Sequence, residues 1–274
     1  MLKYAYHIND IFLSYDDIDI SKYNEEFLIS SAKRRCAAIG CKSFVDYIEL
    51  IEEDEIERIT FYDSLQIAYS CFFRNPLTFH TIDKVVLPNL AVKVRKEASK
   101  DIRIWSSACA AGQEAYSMAM LLENHSLCKE SYSNCKIYAT DKDEEQIKAA
   151  RIGQFARHNL DNIPLFLIDK WFVKYGQTFH IKPELSNRIE FATYDLFETN
   201  NDSIIDKVDD FHIIFCANLL FYYKDKYRKL ILEQIDSRLA ENGYIITSET
   251  ERDILLKNNY IEVYPHSAIF RNNF

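Results

Sequence analysis

Polar and apolar positions alternate around Ile102 and Ile104, which predicts a strand over residues 102–107. A cluster of small residues follows, from Ser106 to Gly112. Gln113 and Glu114 then open a stretch with helical spacing, 115–123. Further strands are predicted at 136–140, 188–193, 210–216 and 244–249, with helices at 144–153 and 224–239 between them. The end, YIEVYPHSAIFRN, reads as two strands around a turn. Strands that alternate with helices imply a mostly parallel, doubly wound sheet, with a C-terminal hairpin closing one edge.

The first part of the chain reads as helices. Phe27, Leu28, Ala32 and Ala38 predict a helix within 23–40, and Gly40 is suited to end it. Ser43 suits the start of a second helix, with Phe44, Tyr47, Ile48 and Ile51 on one face. The acidic run 52–57 reads as a loop or a solvated face, and a third helix is expected over about 60–71. Between the second and third strands, WFVKYGQTFHIKPELSNRIEFAT alternates, turns near Gly176 and Pro183, and holds no clear helical pattern. It is expected to form a small antiparallel insert, at about 170-192. The fold class is α/β.

Composition narrows this picture. With 48% hydrophobic residues in 274, the chain can bury a sizeable core. Five glycines and five prolines leave no low-complexity linker. No apolar run reaches the roughly 18 residues of a membrane span, so no membrane insertion is expected. MLKYAYHINDIF lacks the pattern of a secretory signal. Seven cysteines (Cys36, Cys41, Cys71, Cys109, Cys128, Cys135, Cys216) include no CxxC, and the histidines are scattered. Reduced thiols, a cytoplasmic location and no metal are expected. The net charge of −9 argues against a nucleic-acid partner, which requires a basic face.

Four places could carry chemistry. A helix N-terminus ordinarily favours phosphate, but Glu114 puts a carboxylate there, which suits a cationic ligand such as S-adenosylmethionine. Asp141 ends the strand KIYATD, where an acid can accept hydrogen bonds from ribose hydroxyls, although it could instead cap the helix that begins near Asp143. FFRNP reads either as two core aromatics and a surface charge or as a site segment in which Arg74 could hold a carboxylate, with the Ser70 hydroxyl nearby in sequence. After the fourth strand, Asn218 is the polar candidate; Tyr222 is either a site aromatic or a core residue.

FFRNP, RIWSSACAAGQEAYSMAM, IYATDKDEEQIKAARIGQF, FHIIFCANLLFYY and LAENGYIITSETE resemble, in order and spacing, the CheR family of chemotaxis-receptor glutamate methyltransferases. The early stretch ISSAKRRCAAIGCKSFVDYIELI resembles that family's N-terminal domain. The resemblance implies a small all-helical N-terminal domain, 1-66, and a Rossmann-like methyltransferase domain, 67-274, carrying the β insert. It implies binding of S-adenosylmethionine through Ser70, Arg74, Gly112, Glu114, Asp141, Asp195, Leu196, Ala217 and Asn218. Glu114 would hold the methionine amino group and Asp141 the ribose, with Asp195 and Leu196 beside the adenine. Arg74 and Tyr222 would act near the transferred methyl. The implied partner is the cytoplasmic domain of methyl-accepting chemoreceptors, and in some members the insert docks a receptor's C-terminal tether.

The chain departs from the family pattern at Gln113, where an acid is usual, at Ala115, where proline is usual, and at Ala217, where arginine is usual. These departures keep open a cofactor-binding protein with lost or altered catalysis. Acids outnumber bases over residues 1–100, which keeps open a different protein substrate. Lys33, Arg34, Arg35 and Lys42 form the one local basic cluster suited to an acidic receptor bundle, or simply a solvated helix face.

Overall fold

Asn24 and Gly40 bracket a helix in the way their chemistry dictates. In the computed structural model, which describes residues 2–66, 69–94, 101–125, 135–198, 203–208 and 210–273, the Asn24 side chain accepts from the Phe27 N–H at 2.7 Å. Gly40 takes the left-handed conformation, φ 76°, that ends a helix without a Cβ penalty. The chain divides into two compact units, Met1–Ile67 with Phe221–Arg228, and Ala68–Leu220 with Lys229–Phe274.

The first unit is built from α1 (Leu2–Asp16), α2 (Glu25–Ile39), α3 (Phe44–Glu53) and α4 (Glu55–Ser64). Ile8, Phe12, Leu28, Ala32, Tyr47, Ile51 and Phe61 fill its interior. Ser43 caps α3, as its sequence position suggests. Most of the acidic run is solvated as expected, with Glu53, Asp54 and Glu55 exposed where α3 gives way to α4; Glu57 is the exception. Asp54 accepts from the Ile56 and Glu57 N–H groups and starts α4, which therefore begins and ends earlier than 60–71. Glu57 is buried. Arg35 grips it with two bonds, Nε at 2.9 Å and Nη2 at 2.6 Å, and the Tyr47 hydroxyl donates at 2.8 Å. Arg35 is thus withdrawn from the basic cluster that the sequence offers as a docking face.

Arg35→Ala strands the Glu57 carboxylate in a pocket shaped for an ion pair. Loss of a buried partner is costly, and partial exposure of Arg35 tempers it, so about 1–2 kcal/mol of stability is expected to go. Denaturant titration checks this, and an unchanged midpoint would contradict the structural role.

Residues 221–228 join this unit from far along the chain. The Tyr223 ring stacks on Tyr23 at 5.3 Å between centroids, the Asn24 N–H donates to the Tyr222 carbonyl at 2.8 Å, and Lys224 pairs with Glu25 at 3.1 Å. Sequence continuity had assigned this segment to the C-terminal domain.

The second unit opens with a helical stretch that the sequence pattern had not disclosed: α5 (Pro76–Thr81), a π turn (Ile82–Val86) and α6 (Leu87–Val94). Pro88 has no N–H to give the preceding turn, and the widened turn absorbs that loss. Then come β1 (Ile102–Ser106), α7 (Gln113–Asn124), β2 (Cys135–Asp141), α8 (Glu144–Ile152), β3 (Gln154–Ala156), α9 (Leu165–Trp171), β4 (Phe172–Tyr175), β5 (Thr178–Ile181), α10 (Pro183–Ser186), β6 (Ile189–Thr193), β7 (Phe211–Phe215), α11 (Asp225–Asp236), β8 (Leu239–Ile246), α12 (Arg252–Lys257), β9 (Ile261–Glu262) and β10 (Ile269–Arg271).

Seven strands form one sheet in the order β6-β2-β1-β7-β8-β10-β9. The first five are parallel to their neighbours, and β10 returns antiparallel to β8 and β9 as the expected closing hairpin. Central strands are buried along their length; β7, FHIIF, is covered at every position. Trp105 on β1 is fully buried, and its indole N–H donates to the Thr140 hydroxyl at 2.9 Å.

The small antiparallel sheet exists, in the order β3-β5-β4, but its makeup differs from the stretch 170-192. Its third strand comes from upstream, Gln154–Ala156. The stretch itself contains the one-turn helix α10, started by Pro183, and its end is β6 of the main sheet. Three residues are too few to show a period, so β3 could not be read from the chain.

Candidate functional site

The chain runs outward from β1 to β2 and β6, then returns to lay β7 on the other side of β1. At such a reversal the loops leaving the two central strands diverge, and the crevice at their C-terminal ends receives the ligand. Here the Ser107 N–H and hydroxyl both donate to the Phe215 carbonyl, at 3.0 and 2.8 Å, and pin the two strand tips together. The Cys109 N–H donates to the Thr140 carbonyl at 2.8 Å, which ties the same loop to β2.

Glu114 lies in the first turn of α7, half-buried, and accepts from the Ser106 hydroxyl at 2.6 Å. Burial pushes its carboxyl up to about 7; the Ser106 bond and the charge of Arg74 hold it back, and Glu251 adds to the rise. Gly112 precedes the helix at φ 88°. A Cβ there would meet Ala150, Tyr116 and Phe191 at 3.1–3.3 Å, so protein fills that side of Gly112.

Asp141 ends β2. It accepts from the Ala110 N–H at 2.8 Å and the Asp143 N–H at 3.1 Å, and burial raises its carboxyl above the usual range despite both bonds. The cap of α8 is Asp143, not Asp141. The segment after β6 runs beside it, since the Tyr194 N–H donates to the Asp141 carbonyl at 2.9 Å. That brings half-buried Asp195, which accepts from the Phe197 N–H, and buried Leu196 to the next strand tip.

Ala217 and Asn218 follow β7, both half-buried, and Asn218 sits at φ 60°. Ala110 shares that left-handed region at φ 47°, as does Phe73. Strained backbone of this kind persists where surrounding structure fixes it, and it gathers at functional sites. Arg74 is exposed, donates to the Tyr69 carbonyl at 3.2 Å, and lies over the Tyr69 ring; Ser70 is half-buried.

The structure therefore brings Glu114, Asp141, Asp195, Leu196, Ala217 and Asn218 to neighbouring strand tips. Tyr222 belongs to the first unit, where its ring lies 4.8 Å from that of Phe27. Two residues join the site that the sequence reading had not singled out. Ser106 orients Glu114. Glu251, fully buried, gathers the backbone after β7, and its Ser248-x-x-Glu251 spacing was a visible capping signal.

The site is rich in acceptors. Glu114 and Asp141 are carboxylates that burial has made uncomfortable, and the buried Gln113 side-chain oxygen at the same helix start has no partner among the described residues. A ligand that brings an ammonium and sugar hydroxyls satisfies such a set, whereas a ligand with clustered phosphates does not. S-adenosylmethionine fits on these grounds. Burial drives the thiols of Cys109 and Cys216 well above their ordinary range, so neither is a ready nucleophile. Among the described residues no histidine, cysteine and acid group could hold a metal, no helix is long and apolar enough to cross a membrane, and the cysteines are free; Cys128 lies outside those residues.

Comparison with known proteins agrees. Residues 69–266 match the family model described as CheR methyltransferase, SAM binding domain, and residues 15–65 match CheR methyltransferase, all-alpha domain. A chemotaxis protein methyltransferase of Borreliella burgdorferi is 26% identical over 259 residues, 93% of this chain and 89% of that one. Its counterpart in Listeria monocytogenes is 26% identical over 86% of this chain and 84% of its own length. The one in Escherichia coli is 25% identical over 85% and 79%. The chain belongs to the CheR methyltransferase family, and its cofactor is S-adenosylmethionine.

Proposed function

We propose that this methyltransferase esterifies glutamate side chains on the cytoplasmic domains of chemoreceptors and so serves chemotactic adaptation. The observation that carries the reading is the pair of half-buried acids at adjoining strand tips, Glu114 held by Ser106 and Asp141 held by Ala110. They bind a cationic nucleoside without taking part in proton transfer. The relatives named chemotaxis protein methyltransferases, which align over most of the chain, support the substrate. When bound, S-adenosylmethionine supplies a methyl made electrophilic by its sulfonium, which a carboxylate accepts as a methyl ester to leave S-adenosylhomocysteine.

A glutamate side chain, with an ordinary pKa near ~4.3, is already ionised at neutral pH, so the protein needs no general base. Its task is placement. Glu114 receives the ammonium group, Asp141 accepts the ribose hydroxyls, and Asp195 with Leu196 flank the base. Arg74, exposed and near enough for its charge to act on Glu114, aligns the incoming carboxylate. The arginine must orient more than neutralise, since a tight ion pair would blunt the nucleophile.

Incubation with methyl-labelled cofactor and membranes bearing the native chemoreceptors tests the reading. Base-labile label on the receptor is expected. Label on another protein alone would point to a different substrate, and binding without transfer would mark a non-catalytic member. For Arg74→Ala we expect turnover to fall roughly 10- to 100-fold, as misplacement of a reactant does, while affinity for S-adenosylhomocysteine changes far less. Unchanged turnover removes Arg74 from the reaction.

A further inference from the structure

We propose that Glu251 is a positioning residue of the cofactor site, its carboxylate holding the backbone after β7 in the shape that presents Ala217 and Asn218 to the ligand. The inference rests on assigning the strand tips to S-adenosylmethionine. Glu251 touches no reacting group; it acts through the loop.

The geometry is unusually complete for one side chain. Glu251 lies in the short turn after β8, fully buried. One carboxylate oxygen, Oε1, accepts from the Leu219 and Leu220 N–H groups, both at 2.7 Å. The other, Oε2, accepts from the Asn218 N–H at 2.7 Å, the Thr247 hydroxyl at 3.0 Å, the Ser248 N–H at 3.2 Å and the Ser248 hydroxyl at 2.6 Å. Three successive backbone donors converging on one anion form a concave nest. The nest forces the chain to turn sharply as it leaves β7, and Asn218 adopts φ 60° in that turn. Without an acceptor, three donors would be left facing a buried space, and the turn would open.

The same carboxylate acts on the far wall of the crevice. Its charge is among the causes that raise the Glu114 carboxyl. The charges that act on Glu114 are Arg74 ahead of α5 and Glu251, and Ser106 of β1 donates to it; Glu114 in turn helps to raise the neutral thiols of Cys109 in the β1–α7 loop and Cys216 at the end of β7. Glu251 therefore shapes the backbone after β7 and adds a smaller, electrostatic push to the Glu114 carboxyl, which burial chiefly raises. A residue of purely structural importance would do only the first.

Glu251→Gln tests this. Glutamine keeps the volume but offers one acceptor oxygen and turns two donors toward donors. Titration calorimetry with S-adenosylhomocysteine is expected to show Kd raised about tenfold or more. Amide exchange at 218–220 is expected to quicken while the far-ultraviolet spectrum stays native. The pH midpoint of binding, governed by Glu114, is expected to move to lower pH, because a like charge has gone. Wild-type affinity, exchange and pH midpoint together overturn the proposal; so does weakened binding with unmoved exchange and midpoint. If Glu251→Gln does not fold, Ser248→Ala decides: removing the hydroxyl donor loosens the anion, and faster exchange at 218–220 with a Kd raised about threefold is expected, against no change in either. A wild-type protein that fails to bind S-adenosylhomocysteine would instead refute the assignment of the site itself.

Discussion

Glu114→Gln is expected to make the cofactor-free protein more stable at pH 8 while weakening its hold on S-adenosylmethionine by roughly 30- to 100-fold. Both effects have one cause. Burial lifts the Glu114 carboxyl from 4.5 to about 7. The folded protein therefore takes up this proton at higher pH than the unfolded chain does. Between those values the folded state holds more protons, so stability falls as pH rises from about 4.5 through about 7. Above pH 7 the folded protein carries a half-desolvated anion at a cost on the order of 3 kcal/mol as an upper bound. Glutamine keeps the acceptor for Ser106 and removes that cost, which at this chain length should raise the melting temperature by about 5 °C. The gain should vanish near pH 5, where the native carboxyl is itself neutral.

Binding responds in the opposite sense. An ammonium group paired with a carboxylate in a buried site gains about 2–3 kcal/mol over a neutral amide, the source of the expected loss. Thermal melts at pH 5 and pH 8, with and without S-adenosylhomocysteine, read both effects in one series. An affinity within threefold of wild type would remove Glu114 from the ammonium site. A fall in stability at pH 8 would mean that the anion has a partner in the folded state. Stability surrendered to hold an uncomfortable charge is the usual signature of a site preorganised for its ligand.

The second large effect falls on the turn that feeds the same helix. Gly112→Ala is expected to cost about 2–4 kcal/mol, lowering the melting temperature by on the order of 10 °C. One part is conformational, since an L side chain at φ 88° is strained by about 1–2 kcal/mol. The other is steric: the new methyl would stand 3.1 Å from the Ala150 Cβ on α8, 3.2 Å from the Tyr116 ring and 3.3 Å from the Phe191 ring. Three elements of the sheet-facing layer would have to give way together. Because α7 begins at Gln113, any relief moves Glu114 as well, so cofactor affinity should fall with stability. Gly176, at φ 58° but with open space around its Cβ position, supplies the control, and Gly176→Ala should cost only the conformational part. Equal losses at both positions would show that crowding at Gly112 is relieved without consequence.

Much of this was legible along the chain because it is local. Ile102 and Ile104 announced β1, Gly40 the end of α2, Ser43 the start of α3, and the tail its hairpin. In each case the residue that reveals the element also makes it. The acids of the site could be read for the same reason: Glu114 and Asp141 stand where a strand meets a helix, and helix starts and strand tips mark themselves in sequence. Less was legible where the partner lies far away. Glu57 looked like one member of a solvated run, yet Arg35 and Tyr47 reach it from other helices and make it interior. The segment around Tyr223 looked like a continuation of the β7 loop, and its packing on Tyr23 spans most of the chain. The strand Gln154–Ala156 was too short to show a period, and a pairing with Thr178–Ile181 alone defines it.

Amino-acid order by itself determined the α/β alternation, the helical leading part, the acid at the start of α7 and the resemblance that named the cofactor. These follow from period, capping and turn chemistry, all of which act within a few residues. Tertiary structure alone decided which charges are buried, how far the Glu114 carboxyl rises, and that Glu251 rather than a residue of the loop itself holds the wall after β7. Those are sums over neighbours brought together by the fold. Desolvation and convergent hydrogen bonds depend on what surrounds a group in space, and the chain records only what precedes and follows it.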